Sequence, residues 1–141
     1  MIAPRALAVI MVCAALPFAG PARAQLPIAK HYLSAVVKVT ADIPATARTA
    51  AALGTRREGS GIVIDDDGLV LTIGYLILES ASVELLVEGK RRVPAKFIAY
   101  DHRTGLGLLR ASAPLKVKPL PLGNSDALTK GDQVLAGGGA R

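Results

Sequence analysis

The chain has 141 residues, of which 51% are hydrophobic and 4% aromatic, and its 17 Lys and Arg against 11 Asp and Glu give a formal net charge of +6. The basic residues come as Arg56-Arg57, Lys90-Arg91-Arg92 and scattered lysines, with almost no aromatics between them. A nucleic-acid surface needs stacking platforms among its cations, so that class is excluded and these charges are expected on solvated loops and hairpin tips.

The first residues form a secretory leader. Arg5 is followed by the apolar "ALAVIMVCAALPFAG" and then by "PARAQ", where Ala22 and Ala24 stand at the -3 and -1 positions of a signal-peptidase site. The run falls short of the roughly 20 residues that a spanning helix requires and is broken by Pro17, so no stable membrane span is expected once residues 1–24 are removed. Cys13 is the one cysteine and leaves with the leader. A lipid-attachment box is not expected, because Val12 stands where a small residue is needed. Cleavage after Ala24 yields a periplasmic or secreted chain of about 117 residues and formal charge +4, enough for one compact domain held by its core and by no disulfide.

Residues 25–33 read as a lead-in with a turn of helix in "IAKHYLS", and the β-branched "AVVKVT" reads as the first strand. "ADIPATARTAAALGTRRE" has Pro44, Gly54 and few large apolar residues, which predicts a loop. "SGIVID" and "LVLTI" flank Asp65-Asp66-Asp67-Gly68, a strong hairpin signal. "SVELLVE" and "RVPAKFIAYD" are joined by a turn placed at Gly89-Lys90, "LGLLRA" follows as a short buried strand, and "QVLAG" is predicted as a last strand before a glycine-rich end at 138–141. Short strands at even spacing, without a long amphipathic helix, predict an all-β sandwich or barrel.

In this order the segments resemble the HtrA-type (Deg-type) trypsin-like serine proteases. The resemblance is carried by "AVVKVT", "GSGIVIDDDGLVLT", "VELLVEGKRRVPAKFIAYD", "DHRTGLGLLR" and "PLPLGNSDALTKGDQVLA", covering about Ser34 to Gly137. It implies the six-stranded antiparallel β-barrel of the chymotrypsin fold, specifically the first of that fold's two barrels, over residues 34–137. The family carries its histidine in Leu-Thr-x-x-His and its aspartate directly after Asp-x-x-Thr. Here those positions hold Tyr75 and Gly105.

The chemistry of those positions then matters. A serine hydroxyl attacks only when a neighbouring base takes its proton, and imidazole suits that task. A phenol, with an ordinary pKa of about 10, keeps its own proton at neutral pH, and glycine has nothing with which to orient a base. Tyr75 is expected instead to fill the space vacated by imidazole and to pack against Leu76 or Leu78. "GNSDA" imitates a nucleophile loop, yet Asp126 and Ala127 follow Ser125, and a carboxylate there opposes a developing oxyanion. Ser125 is therefore expected to cap a turn. The resemblance places the true nucleophile loop in a second barrel, beyond Arg141.

Other candidates point to no cofactor. His31 and His102 have no partner constellation, so both are expected as exposed polar residues and no metal site is predicted. Asp65, Asp66 and Asp67 lack the spaced oxygen ligands of a calcium loop and are expected as a solvated turn. The leading expectation is a secreted protease homologue, inactive by itself, that serves as a binding or regulatory scaffold or is a truncated product. Such a half-molecule is expected to self-associate or to take a polypeptide partner through the face that a second barrel normally meets. The alternatives are a part of a working serine endopeptidase that hydrolyses unfolded periplasmic proteins, and a periplasmic β-barrel that binds peptides by strand addition at an open edge.

Overall fold

The computed structural model describes residues 32–134 and 136–138. The expected leader, His31 and the last residues of the glycine-rich end lie outside them. Tyr32 to Ser34 make the expected helical turn at the close of the lead-in.

Six strands follow in chain order: β1 (Val36–Asp42), β2 (Arg56–Val63), β3 (Leu69–Ile73), β4 (Ser82–Val87), β5 (Arg91–Asp101) and β6 (Leu106–Ala111). All pair antiparallel, in the order β1-β2-β3-β6-β5-β4, and β4 returns to β1 to close a barrel. The fold is thus the expected all-β, six-stranded antiparallel barrel. Each described strand has a hydrogen-bonded neighbour on both sides, although β2 pairs with β3 only over Gly61–Val63.

Strand alternation decides which side chains enter the barrel. Along β1, Val37, Val39 and Ala41 are buried while Val36, Lys38 and Thr40 face outward. Val63, Val70, Leu85 and Leu109 join them from the other strands and are almost completely sealed from solvent. Each such aliphatic side chain contributes about 1.5–3 kcal/mol relative to exposure. β-Branched residues suit both the pleated backbone and this narrow interior.

The connections refine the sequence reading. At the β2–β3 hairpin the Asp65 carboxylate accepts the Leu69 N–H at 2.6 Å and an Arg110 N–H at 3.4 Å. Asp65 is therefore a half-buried turn clamp, and only Asp66 and Asp67 are the exposed carboxylates expected. The β4–β5 turn lies one residue earlier than predicted: Glu88 and Gly89 both have positive φ (50° and 67°), and the Lys90 N–H reaches Val87 O at 3.0 Å. Left-handed backbone at both central residues matches the twist of a tight hairpin.

Two further corrections concern helix and tail. The predicted loop between β1 and β2 contains a one-turn helix, α1 (Ala50–Leu53), and β2 starts as early as Arg56. "QVLAG" is not a strand among its described residues, because the barrel is already closed and no unpaired strand remains to receive it. The tail instead folds back over the barrel. Leu115 is buried, the Leu120 N–H bonds Val63 O at 2.9 Å, and Arg91 donates to Pro114 O at 3.0 Å and to Leu115 O.

Candidate functional site

Positions 75 and 105 come together on one shelf of the barrel. β3 runs directly into a second one-turn helix, α2 (Gly74–Ile77), which carries Tyr75 and is closed by the Leu78 N–H on Gly74 O at 3.0 Å. The Gly74 N–H donates to Gly105 O at 2.8 Å. This close approach needs glycine, since a Cβ at residue 74 would lie 1.9 Å from the Tyr100 ring and 3.1 Å from Gly105 O.

Tyr75 does not fill the core, contrary to the sequence-based expectation. It is 49% exposed, whereas Leu76 and Ile77 are 3% and 1% exposed. Successive helical residues are about 100° apart, so turning Leu76 and Ile77 inward leaves their predecessor facing water. Only the Tyr75 backbone is tied down, its carbonyl accepting an Arg57 N–H at 2.6 Å. Gly105 has φ +73°, a left-handed conformation that disfavours side-chain-bearing residues, although the space beside it is open.

The carboxylate nearest in sequence to position 105 is already occupied. Asp101 accepts the Thr104 hydroxyl at 2.7 Å and the Arg103 N–H at 2.9 Å, while its own carbonyl accepts the Gly105 N–H at 2.8 Å. The Thr104 hydroxyl first, and then the Arg103 N–H, hold its pKa below the ordinary aspartate value. Asp101 thus clamps the β5–β6 turn. His102 is exposed as expected and meets the Tyr100 ring edge-on at 4.4 Å between centroids.

Beneath α2 lies a polar network that the sequence reading missed. Arg57, expected on a solvated tip, is only 4% exposed. Its guanidinium donates to Tyr75 O at 2.6 Å, Leu78 O at 3.2 Å, Gly54 O at 3.3 Å and Thr49 Oγ1 at 2.8 Å. Thr49 in turn donates its hydroxyl and its N–H to Glu79 Oε2, at 2.5 and 2.9 Å. The signal was available once β2 is extended backward: positions 57, 61 and 63 share the inward parity of the strand, and Arg56 and Arg57 necessarily point to opposite sides.

Ser125 lies in a 3-10 turn, Ser125–Ala127, well after the strands. The cap is Asn124, whose Oδ1 accepts the Asp126 N–H at 3.0 Å, and not the Ser125 side chain as expected. No group of three or more His, Cys, Asp or Glu converges among the described residues. No helix among them is long and apolar enough to cross a membrane.

Residues 59–140 match the model of the trypsin-like peptidase domain. The chain is similar to a probable periplasmic serine endoprotease DegP-like of Pseudomonas fulva, 33% identical over 98 residues, which are 67% of this chain and 20% of that protein. It is also similar to the periplasmic serine endoprotease DegP of Escherichia coli, 30% identical over 79 residues, or 55% of this chain and 17% of the relative. Of these relatives it thus spans a fifth of the length or less. Among solved structures, the HtrA-type protease AlgW with tripeptide aligns with a TM-score of 0.64 at 17% identity, over 77% of this chain and 33% of that one. The serine endoprotease from Yersinia pestis aligns with a TM-score of 0.53 at 21% identity, over 67% of this chain and 31% of its own. Barrel, hairpin order and family model agree, and the chain belongs to the trypsin-like peptidase family as a barrel of the HtrA type.

Proposed function

We propose that this chain is a secreted HtrA-type protease homologue that is catalytically silent by itself and works as a binding or regulatory scaffold. The observation that carries the reading is the pairing of positions 75 and 105, joined through the Gly74 N–H and Gly105 O at 2.8 Å. The two positions that the resemblance matches to the family's base and orienting carboxylate adjoin, but they offer an exposed phenol and a hydrogen atom. Loss of any triad member typically costs several orders of magnitude in turnover. The leader and the periplasmic names of the relatives support a periplasmic location.

The outer face of the barrel supports a polypeptide partner or a second copy. Ile62, Leu71, Leu108 and Ala99 stand opposite one another across β2, β3, β6 and β5, with Ile73 and Leu106 in the next row. Ile73 is 51% exposed and Leu106 40% exposed. An apolar face of this extent favours association. Sedimentation of the purified protein is expected to give a species larger than the monomer, and a monomer at high concentration would remove this part of the reading.

Activity is tested with unstructured casein and a fluorophosphonate probe. The expected result is neither cleavage nor labelling, whereas labelling at a single serine overturns the scaffold reading. It would favour the alternative that this barrel is part of a working endopeptidase, for which the much greater length of the relatives argues.

A further inference from the structure

Glu79, which follows α2, has a backbone φ of +60°, in the left-handed region that a residue with a side chain avoids. What balances that conformation is its carboxylate. Oε1 accepts the Arg48 N–H at 3.3 Å, and Oε2 accepts the Thr49 N–H at 2.9 Å and the Thr49 hydroxyl at 2.5 Å. The other side of the same hydroxyl accepts Arg57, which also holds the Tyr75 and Leu78 carbonyls of the α2 segment. One carboxylate therefore joins the β1–β2 loop to the end of the helix that carries position 75.

We propose that Glu79 is a proton-operated latch: ionised, it holds the Arg48–Thr49 loop against the α2 segment, and protonated, it releases the loop. Every bond it makes is accepted by a carboxylate oxygen from an N–H or O–H, so a proton added at Oε2 opposes the Thr49 N–H and forces the Thr49 hydroxyl to turn from donor to acceptor. The charged and titratable groups around it are Arg48 from the loop, Arg57 from β2 through Thr49, and His102 from the β5–β6 turn, which lines the same hollow. None is acidic, so no second carboxylate shares the proton. The hollow, about 490 Å³ and bounded by Arg48, Thr49, Leu78, Glu79 and His102, gives the freed loop room to move. Bonding to Thr49 keeps the carboxyl below the ordinary glutamate value, which sets release in acid and closure at neutral pH. Release leaves the buried guanidinium without the loop above it and loosens the α2 segment.

The test follows the backbone amide signals of the full chain by nuclear magnetic resonance during an acid titration. Arg48 and Thr49 are expected to shift together with the Glu79 carboxyl, below the ordinary glutamate range, and to lose protection from exchange while Val39 and Leu85 keep theirs. Glu79→Gln is expected to abolish that transition at Arg48 and Thr49. Thr49→Val, which removes the hydroxyl but keeps the N–H, is expected to move it toward the ordinary range. The proposal is overturned if the wild-type amides do not titrate, if they change only with global unfolding, if Glu79→Gln keeps the transition, or if Thr49→Val leaves its midpoint in place.

Discussion

The barrel interior and the α2 shelf are built on opposite physical terms. Inside the barrel, Val37, Val39, Val63, Val70, Leu85 and Leu109 exclude water by shape and volume alone. Under the shelf, Arg57, Thr49 and Glu79 hold a short helix through directional bonds, and a one-turn helix has little stability of its own. The interior therefore carries most of the stability, and the shelf carries orientation. Positions 75 and 105 both lie in the second region.

Substitutions can break this contrast. Leu109→Ala removes a fully buried side chain from the barrel and is expected to cost about 3–4 kcal/mol in urea unfolding, with protection lost throughout the barrel. Arg57→Ala leaves the carbonyls of Gly54, Tyr75 and Leu78 without their donor and is expected to cost about 2–3 kcal/mol. Its loss of amide protection should concentrate at Leu78 and Thr49. Arg57→Lys should recover little of this, since a point charge cannot serve the diverging acceptors that a planar fork reaches. If both Ala variants lost protection in the same places, the two regions would be one cooperative unit and the contrast would fail.

Smaller effects sharpen it. Gly105→Asp forces a side chain onto left-handed backbone at φ +73° and is expected to cost about 1 kcal/mol by thermal unfolding. Acid should act least. Glu58 is held below its ordinary value chiefly by Lys38, Glu79 by Thr49, and Asp101 by Thr104. A carboxyl depressed in the folded state stabilises fully above its unfolded pKa, and that contribution is lost as pH falls through the folded one. All three are exposed, so urea midpoints should be level between about pH 7 and 5 and decline only modestly below, in the carboxylate range. A decline beginning nearer neutrality would point to another group.

Much of the architecture was legible because it is locally encoded. Alternation in "VVKVT" and "LVLTI" assigns faces to strands, and the Asp-Gly turn joins β2 to β3 as expected. The candidate site was legible only in its residue identities, Tyr75 and Gly105. That Tyr75 faces water follows from which α2 residues meet the barrel, and that Arg57 is buried follows from β2 starting at Arg56 inside an alanine-rich stretch with weak strand character. The tail failed as a strand because "QVLAG" has suitable local character but no partner.

The six strands of the barrel, the Asp-Gly hairpin and the residue identities at positions 75 and 105 were legible along the chain itself, since a period of two and a glycine turn need only neighbours in sequence. Closure through β1–β4 and β3–β6 and the Glu79 clamp were decided by segments 30 or more residues apart, and the burial of Arg57 by partners up to 21 residues away. Pairings of that range depend on which surfaces meet once the barrel has formed, and no local pattern specifies that meeting.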